Sequence, residues 1–268
     1  MNMMGKKTFP TLNEVILLLG SCFILLYILA MPLQKWNLRF GLLVTQLVIF
    51  LACPFLMMLM FGVRFKTTFR LARPPVKAMV MPIFIAPALI FLLSELMVLQ
   101  NLYFPAPEYY REAIKRLGSE PGKPFEFIQV IILISLLPGI CEELMFRGVV
   151  LSGMLQKLSA ARSIILAAVV FGAFHLSPYH FMPVFLIGLV LGYITVRTGS
   201  IFPAMFVHVL YNAVAFSVRE ISGPAAVSWL GQTDHVPVPI LVVSGVVLLV
   251  SLLMLPQNRP RNLEAASV

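Results

Sequence analysis

The stretch EFIQVIILISLLPGICEELMFRGVVLSGML, residues 126–155, decides the fold. It is mostly apolar, and as one helix it would extend about 45 Å at 1.5 Å per residue. The hydrocarbon core of a bilayer is only about 30 Å thick. We therefore expect a membrane-spanning helix that kinks or breaks at Pro138-Gly139, about halfway along it. A broken helix is tolerated at membrane depth where it lines a cavity.

The rest of the chain is equally apolar. Hydrophobic residues make up 60% of the 268 residues, charged residues only 12%, and the mean hydropathy is +0.94. Soluble domains average about 45–50% apolar and about 25% charged residues, so a soluble globule could not cover its surface here. The sequence predicts an all-α membrane protein, a bundle of about eight transmembrane helices with an intramembrane polar cavity. The predicted spans are 12–33, 40–62, 76–99, 126–155, 162–178, 180–197, 201–219 and 236–255.

We divide the chain into three parts. Residues 1–125 hold N-terminal transmembrane helices and an amphipathic connection, residues 126–255 a transmembrane core with the chemistry, and residues 256–268 a polar cytoplasmic tail. In the connection, apolar side chains recur at helical spacing opposite charged ones, which favours a surface-lying helix over a solvated loop. The first span is too long for a signal-peptide core, so we expect it to be retained.

The loops predict an orientation. The short segment 64–77 is strongly basic, which places it in the cytoplasm, and eight spans then place both termini there. Of the 20 Lys and Arg residues, twelve lie inside and seven outside, with Arg147 within a span. Trp36 and Trp229, the only tryptophans, fall at the outer interface, as aromatic belts do. The charge of +9 fits this loop bias, so membrane lipid, and not nucleic acid, is the expected partner.

The sequence excludes several classes of membrane hydrolase. Asp234 is the only aspartate, so an aspartyl dyad is impossible. No His is followed by Glu, which excludes an HExxH zinc helix, and no Gly-x-Ser-Gly element supports a rhomboid-type serine. Cys22, Cys53 and Cys141 lie in apolar stretches without a CxxC spacing and read as small buried hydrophobes.

Polar side chains within membrane-spanning helices are energetically unfavourable, so each one points to a structural or functional role. On a helix, Glu143 and Arg147 are four residues apart and can pair, which leaves Glu142 without a partner and free to face a cavity. A carboxylate in such a site can act as a general base. Phe171 and His175 are again four residues apart, and so are His208 and Asn212. These groups suit either a glutamate-activated water or a metal held by Glu142, His175 and His208, while an ion-pair cluster that fastens helices is the structural alternative.

The polar residues of this set fall into three motifs of fixed spacing. Glu142-Glu143-x-x-x-Arg147, Phe171-x-x-x-His175 and His208-x-x-x-Asn212 resemble those of the CAAX-protease and bacteriocin-processing (CPBP, or abortive-infection) family. The context agrees, with Phe-Arg-Gly after the glutamates and Arg-Thr-Gly-Ser-Ile-Phe-Pro-Ala leading to the second histidine. The resemblance covers about residues 125–215.

The resemblance implies an eight-helix intramembrane endopeptidase whose cavity opens to the cytoplasmic side. It implies that Glu142 and His175 activate water and that His208 and Asn212 bind the oxyanion. Glu143, Arg147 and Phe171 would be supporting residues. No cofactor is expected, although the family was long classified as metalloproteases, so zinc remains an alternative. We read Gly188-x-x-x-Gly192 as close helix packing.

Several functions stay open at this point. For a peptidase the expected substrate is a peptide, and one reading is the C-terminal tail of a prenylated CAAX protein, from which a tripeptide would be removed. Processing of bacteriocin or signalling precursors is the alternative within the enzyme class. A transport-type protein would normally carry inverted repeats, and none is found. A non-catalytic immunity protein would be expected to have lost part of the Glu/His/His/Asn set.

Overall fold

The computed structural model describes residues 7–118, 123–226 and 234–257, with the backbone alone for Arg219 and residues 221–226. Trp229, Lys6 and the tail from residue 258, which the sequence assigned to an interface or to the cytoplasm, lie outside the described residues. In the described ranges the chain forms α1 (Leu12–Trp36), α2 (Leu38–Met60), α3 (Val76–Tyr103), α4 (Glu108–Leu117), α5 (Pro124–Met154), α6 (Ala160–Ala173), α7 (Pro178–Thr198), α8 (Phe202–Ala226) and α9 (Val238–Leu253).

The membrane class is confirmed. Helices α1, α2, α3, α5 and α7 are long and apolar enough to cross a membrane, and α6, residues 202–218 of α8, and α9 are shorter apolar helices. The protein is therefore an all-α, multi-pass integral membrane protein, and eight is an approximate number of spans.

Local signals in the sequence start several of these helices. The Thr11 side chain accepts from the Glu14 amide at the start of α1, with the Glu14 carboxylate bonded back to the Thr11 amide. Asn37 caps α2, Ser159 caps α6 and Ser177 caps α7. These side chains bond to amides that have no partner within the helix, which fixes where each helix begins.

One end of the bundle, which we call the basic end, gathers the N-terminal segment and the loops after α2, α5, α7 and α9. The Thr68 hydroxyl donates to the Thr8 carbonyl at 3.0 Å, and Arg70 Nε donates to the Ser152 hydroxyl at 3.1 Å. The Ser200 hydroxyl donates to the Ala72 carbonyl at 2.7 Å. These bonds tie the basic loop 64–77 to the ends of α5 and α7.

The opposite end, the amphipathic end, carries α4 and the turn between α6 and α7. The Tyr110 hydroxyl on α4 lies 3.3 Å from His180 Nε2, and the Tyr179 hydroxyl donates to Asn101 Oδ1 at 2.7 Å. No residue of α4 is buried. The basic loop and α4 therefore lie at opposite ends of the same bundle.

Close helix packing surrounds the centre of the bundle. A Cβ atom at Gly188 would lie 3.1 Å from Ala168 Cβ, and one at Gly192 would lie 3.1 Å from Ile164 Cγ2. The predicted close packing at Gly188-x-x-x-Gly192 is therefore present, and its partner is α6. Buried residues of α1, α2, α5 and α7, including Val15, Ile49 and Phe146, join in one hydrophobic core.

Candidate active site

Helix α5 carries the two glutamates and does not break at Pro138-Gly139, so of the predicted kink or break the break is wrong. The helix continues from residue 124 to residue 154, with π-helical segments at Ile132–Leu136 and Leu144–Val150 on either side of Pro138. Proline has no N–H to donate to the carbonyl four residues earlier, that of Ile134. The Asn212 side chain donates to that carbonyl instead, at 3.1 Å. A donor from a neighbouring helix therefore helps to accommodate the proline within α5.

The predicted pair of Glu143 and Arg147 is present. Arg147 Nη1 donates to Glu143 Oε1 at 2.7 Å, and both side chains are fully buried. Arg147 Nη2 donates to the Gly188 carbonyl, and the guanidinium lies 4.3 Å above the centre of the Phe171 ring. Three contacts on three different helices thus hold this cation, which is the arrangement that a buried charge requires.

Glu143 has a second partner that the sequence did not predict. His208 Nδ1 lies 2.9 Å from the same Oε1 atom that Arg147 contacts. The other oxygen, Oε2, is buried and has no hydrogen-bond partner among the described residues. Glu143 therefore connects Arg147 to His208 and orients the imidazole ring of His208.

Glu142 is not without a partner, and the expectation that it would be unpaired is wrong. Gln46 Nε2, on α2, donates to Glu142 Oε1 at 2.7 Å, and both side chains are buried. The second oxygen, Oε2, lies 4.0 Å from His208 Nε2. This distance exceeds hydrogen-bond length. Glu142 Oε2 and His208 Nε2 therefore face each other and both remain able to bond to a third group.

His175 does not lie on α6, because that helix ends at Ala173, before the end of the predicted span 162–178. Leu176, the next residue, has a left-handed backbone with φ 51°, which turns the chain into α7. His175 Nδ1 lies 3.0 Å from the Phe171 carbonyl. A carbonyl can only accept, so Nδ1 carries the hydrogen, and the neutral ring then presents Nε2 as an acceptor. The side chain is exposed.

The Phe171 ring connects the two histidines. Its centre lies 5.1 Å from that of the His175 ring and 5.9 Å from that of the His208 ring, both edge to face. The structure does not place His175 within hydrogen-bond distance of either glutamate. The cluster thus consists of two hydrogen-bonded groups, Gln46 with Glu142 and Arg147 with Glu143 and His208, which face each other at 4.0 Å. His175 adjoins the cluster through Phe171.

Asn212 lies one turn after His208 on α8 and bonds to α5 at the Ile134 carbonyl, because the two helices approach closely. A Cβ atom at Gly139 would lie 2.3 Å from Val209 Cγ2 and 3.1 Å from the Val209 amide nitrogen. Val209 follows His208 and precedes Asn212 by less than one turn, so the glycine allows both side chains to approach α5. Only one N–H of the Asn212 amide is needed for the Ile134 carbonyl, so a second N–H remains.

The metal alternative does not fit the arrangement of these side chains. Within the part of the chain that the structure describes, no group of three or more His, Cys, Asp or Glu side chains could hold a metal ion. Glu142 and His208 are neighbours, but His175, the third ligand that the sequence suggested, adjoins them only through the Phe171 ring.

The cluster is open toward the amphipathic end. Toward the basic end, every residue from Met145 to Met154 is buried, as are Leu191, Ile194 and Ala204. Toward the amphipathic end, His175 is exposed and every residue from 209 to 218 on α8 is partly exposed. A mostly apolar groove of about 470 Å³ adjoins this turn and is lined by Gly172, Ala173, Leu176, Ser177, Pro178 and Phe181.

Two expectations from the sequence exclude each other in this structure. The basic loop 64–77 was placed in the cytoplasm, and so was the opening of the cavity. The loop lies at the basic end and the opening faces the amphipathic end, and α3 crosses the bundle between them. Only one of the two can face the cytoplasm.

Gln46 is the site residue that sequence reasoning missed. It was one amide in an apolar span with no motif around it, and the polar groups considered were charged residues, histidines and one asparagine. The sequence did offer one indication of its role. An amide side chain at membrane depth is energetically unfavourable unless it has a hydrogen-bond partner. Its partner is 96 residues away, and no spacing rule connects the two.

Comparison with known proteins agrees with the motifs. Residues 124–214 match the family model described as type II CAAX prenyl endopeptidase Rce1-like. The match spans Glu142, Glu143, Arg147, Phe171, His175, His208 and Asn212, and it does not include Gln46. No curated protein and no solved structure matches the chain. The match over residues 124–214 supports the resemblance of this part of the chain to the CAAX-protease (CPBP) family.

Proposed function

We propose that this protein is an endopeptidase that hydrolyses a peptide bond within the membrane with a water activated by Glu142 and His175. The observation that carries the proposal is the difference between the adjacent glutamates. Glu143 Oε1 is held by Arg147 and His208, whereas Glu142 Oε2 faces His208 Nε2 at 4.0 Å. The Glu143 carboxylate thus holds two neighbouring side chains in place, whereas Glu142 has an oxygen that can take a proton from water.

The proposed steps assign an atom to each proton. Water attacks the carbonyl carbon of the substrate and transfers a proton to Glu142 Oε2, while His175 Nε2 accepts the second hydrogen bond of the water. The carbonyl oxygen becomes an oxyanion, which His208 Nε2–H and the second N–H of Asn212 stabilise. In this role the His208 ring carries both protons, with Nδ1–H donating to Glu143. The intermediate then collapses, the C–N bond breaks, and Glu142 returns the proton to the leaving nitrogen.

The proposed substrate is the C-terminal tail of a prenylated CAAX protein, from which the last three residues are removed. The groove beside His175 supports a substrate with an alkyl chain, because four of its six lining residues are apolar side chains next to the turn. Precursors of bacteriocins or signalling peptides are the alternative substrates. We also propose that the reaction needs no metal or other cofactor and that the cavity opens to the cytoplasm, where such C-terminal tails are found.

The test uses the purified protein in detergent or in proteoliposomes. A farnesylated peptide with a CAAX ending and the same peptide without the lipid are incubated with wild-type protein and with Glu142→Gln. We expect release of the tripeptide from the farnesylated peptide by the wild-type protein only, because Gln keeps the volume of Glu but cannot accept the proton. Equal cleavage of both peptides would favour precursor processing, and equal turnover by the Gln variant would remove Glu142 from the mechanism.

A chelator provides the matching test of the metal alternative. Unchanged turnover after dialysis against a strong zinc chelator is expected. Loss of turnover that zinc restores would contradict a metal-free reaction and would require His175 to move toward Glu142 and His208.

A further inference from the structure

Gln46 lies outside the segment that matches the protease family, yet it contacts the proposed base directly. It sits in the π-helical segment Thr45–Ala52 of α2, and its side chain is 5% exposed. Its Nε2 atom donates to Glu142 Oε1 at 2.7 Å. A hydrogen bond from an amide to a carboxylate is among the stronger bonds that a neutral side chain can make.

The backbone around Gln46 is held firmly against the rest of the bundle. The neighbouring Thr45 hydroxyl donates to the Gly41 carbonyl at 2.7 Å and accepts from Gln34 Nε2 at 3.0 Å. One turn further, the Phe50 ring packs on Phe146, with ring centres 5.9 Å apart. The amide of Gln46 is therefore presented to Glu142 from a fixed position.

The other half of the same amide has no partner. Gln46 Oε1 is buried and makes no hydrogen bond with any described residue. A glutamine retained only to fasten α2 to α5 would be expected to satisfy both ends of its amide, because an unpaired buried acceptor destabilises the fold. In Gln46 the acceptor Oε1 stays unpaired despite this loss of stability, while Nε2 donates to one oxygen of Glu142.

We infer that Gln46 is a positioning residue for the catalytic base, an inference that rests on the proposed function. By holding Oε1, the amide fixes the plane of the Glu142 carboxylate and leaves Oε2 directed toward His208 Nε2, where the reacting water would be held. Effective general-base catalysis depends on such orientation, since small displacements of a reacting group are costly in rate. The N-terminal part of the chain therefore completes the active site of the family core.

The test replaces Gln46 by Met, which keeps the length and volume of the side chain and removes the donor. We expect kcat on the farnesylated peptide to fall about 10- to 100-fold, with KM unchanged, because the peptide does not contact Gln46. Gln46→Glu, which has the same shape and cannot donate when ionised, should be impaired at least as strongly. Thr195→Val is the control, since it removes a buried hydroxyl that donates to the Leu191 carbonyl of its own helix and does not contact Glu142, and its kcat should equal that of the wild-type protein.

A wild-type kcat in Gln46→Met, or equal losses in Gln46→Met and Thr195→Val, would overturn the inference while leaving the proposed function intact. A change in KM alone would also overturn it. Thermal unfolding midpoints of Gln46→Met, Glu142→Gln and the double variant test the contact without any activity. Additive shifts would show that the two side chains do not interact, and coupled shifts would support the hydrogen bond. If the wild-type protein cleaves neither peptide, the proposed function fails and the catalytic role of Gln46 fails with it.

Discussion

Toward the basic end of the bundle, the residues that surround the polar cluster are buried from Met145 to Met154, whereas toward the amphipathic end those from 209 to 218 are partly exposed. The buried side holds Arg147, whose guanidinium is bonded to Glu143 and to the Gly188 carbonyl. The open side holds Asn212 and the exposed His175. Groups that fix geometry therefore lie on the closed side, and those that would meet a peptide in the proposed reaction lie on the open side.

The largest expected effect concerns the side of the membrane that each end of the bundle faces. A cysteine at either end should react with a label from one side only. Lys66, in the basic loop, and Tyr109, on α4, are both exposed and lie at opposite ends. In a background without the three native cysteines, Lys66→Cys and Tyr109→Cys should react with a membrane-impermeant maleimide from opposite sides of sealed vesicles. We expect Tyr109→Cys to react from the cytoplasmic side, as the proposed opening requires.

The opposite labelling pattern has an equally clear meaning. If Lys66→Cys reacts from the cytoplasm and Tyr109→Cys from outside, the charge bias sets the orientation and the cavity opens away from the cytoplasm. Reaction of both from one side would contradict the arrangement of helices α3 and α4 itself.

On the closed side, Arg147→Ala should have the largest effect on stability. It leaves the Glu143 carboxylate buried with only His208 as a partner, and removal of one member of a buried pair typically costs about 3–5 kcal/mol. The unfolding midpoint in detergent should fall sharply, and turnover should fall with it because Glu143 orients His208. Arg162→Ala, at an exposed arginine on α6, is the control and should leave the midpoint nearly unchanged. Equal midpoints for the two variants would show that the ion pair does not stabilise the closed side.

On the open side, Asn212→Ala should affect turnover more than stability. Loss of one oxyanion donor typically reduces kcat by about 10²–10³-fold, whereas loss of the bond to the Ile134 carbonyl should cost only about 0.5–1.5 kcal/mol. Ser135→Ala is the matched control, because the Ser135 hydroxyl also bonds α5 to α8, at the Val209 carbonyl, without belonging to the proposed oxyanion site. If the two variants lose turnover equally, Asn212 only fastens the helices.

The sequence predicted the features that depend on spacing along one helix. Glu143 and Arg147 pair because they are four residues apart, and Gly188 and Gly192 share the face that packs on α6. Contacts between distant segments were not predictable in this way. Gln46 and Glu142 are 96 residues apart, and His208 and Glu143 are 65 apart, so neither contact follows from a local rule.

Two local expectations were wrong because a tertiary contact or a cap decided the outcome. Pro138 was expected to kink or break α5, but the helix does not break, and the Asn212 side chain supplies a donor to the Ile134 carbonyl. His175 was placed on a helix because Leu176 and Pro178 prolong the apolar run. Ser177 instead caps α7 and Pro178 occupies its first turn. These residues mark the start of a helix, which hydropathy alone does not detect.

The smallest expected effect is the difference between alanine substitutions at two glycines. Gly139 lies where the closed and open sides meet, and Gly192 lies away from the cluster. A Cβ atom at Gly139 would lie 2.3 Å from Val209 Cγ2 and 3.1 Å from a backbone atom, so α5 and α8 must separate. Overpacking of this kind costs about 1–3 kcal/mol, and the shift would move His208 relative to Glu143. At Gly192 the nearest atom is Ile164 Cγ2, 3.1 Å away, so a shift of a few tenths of an ångström makes room for the methyl group. Gly139→Ala should therefore lower both the unfolding midpoint and kcat, whereas Gly192→Ala should lower the midpoint slightly and leave kcat unchanged. Equal kcat values in the two variants would show that the spacing between α5 and α8 does not control the site.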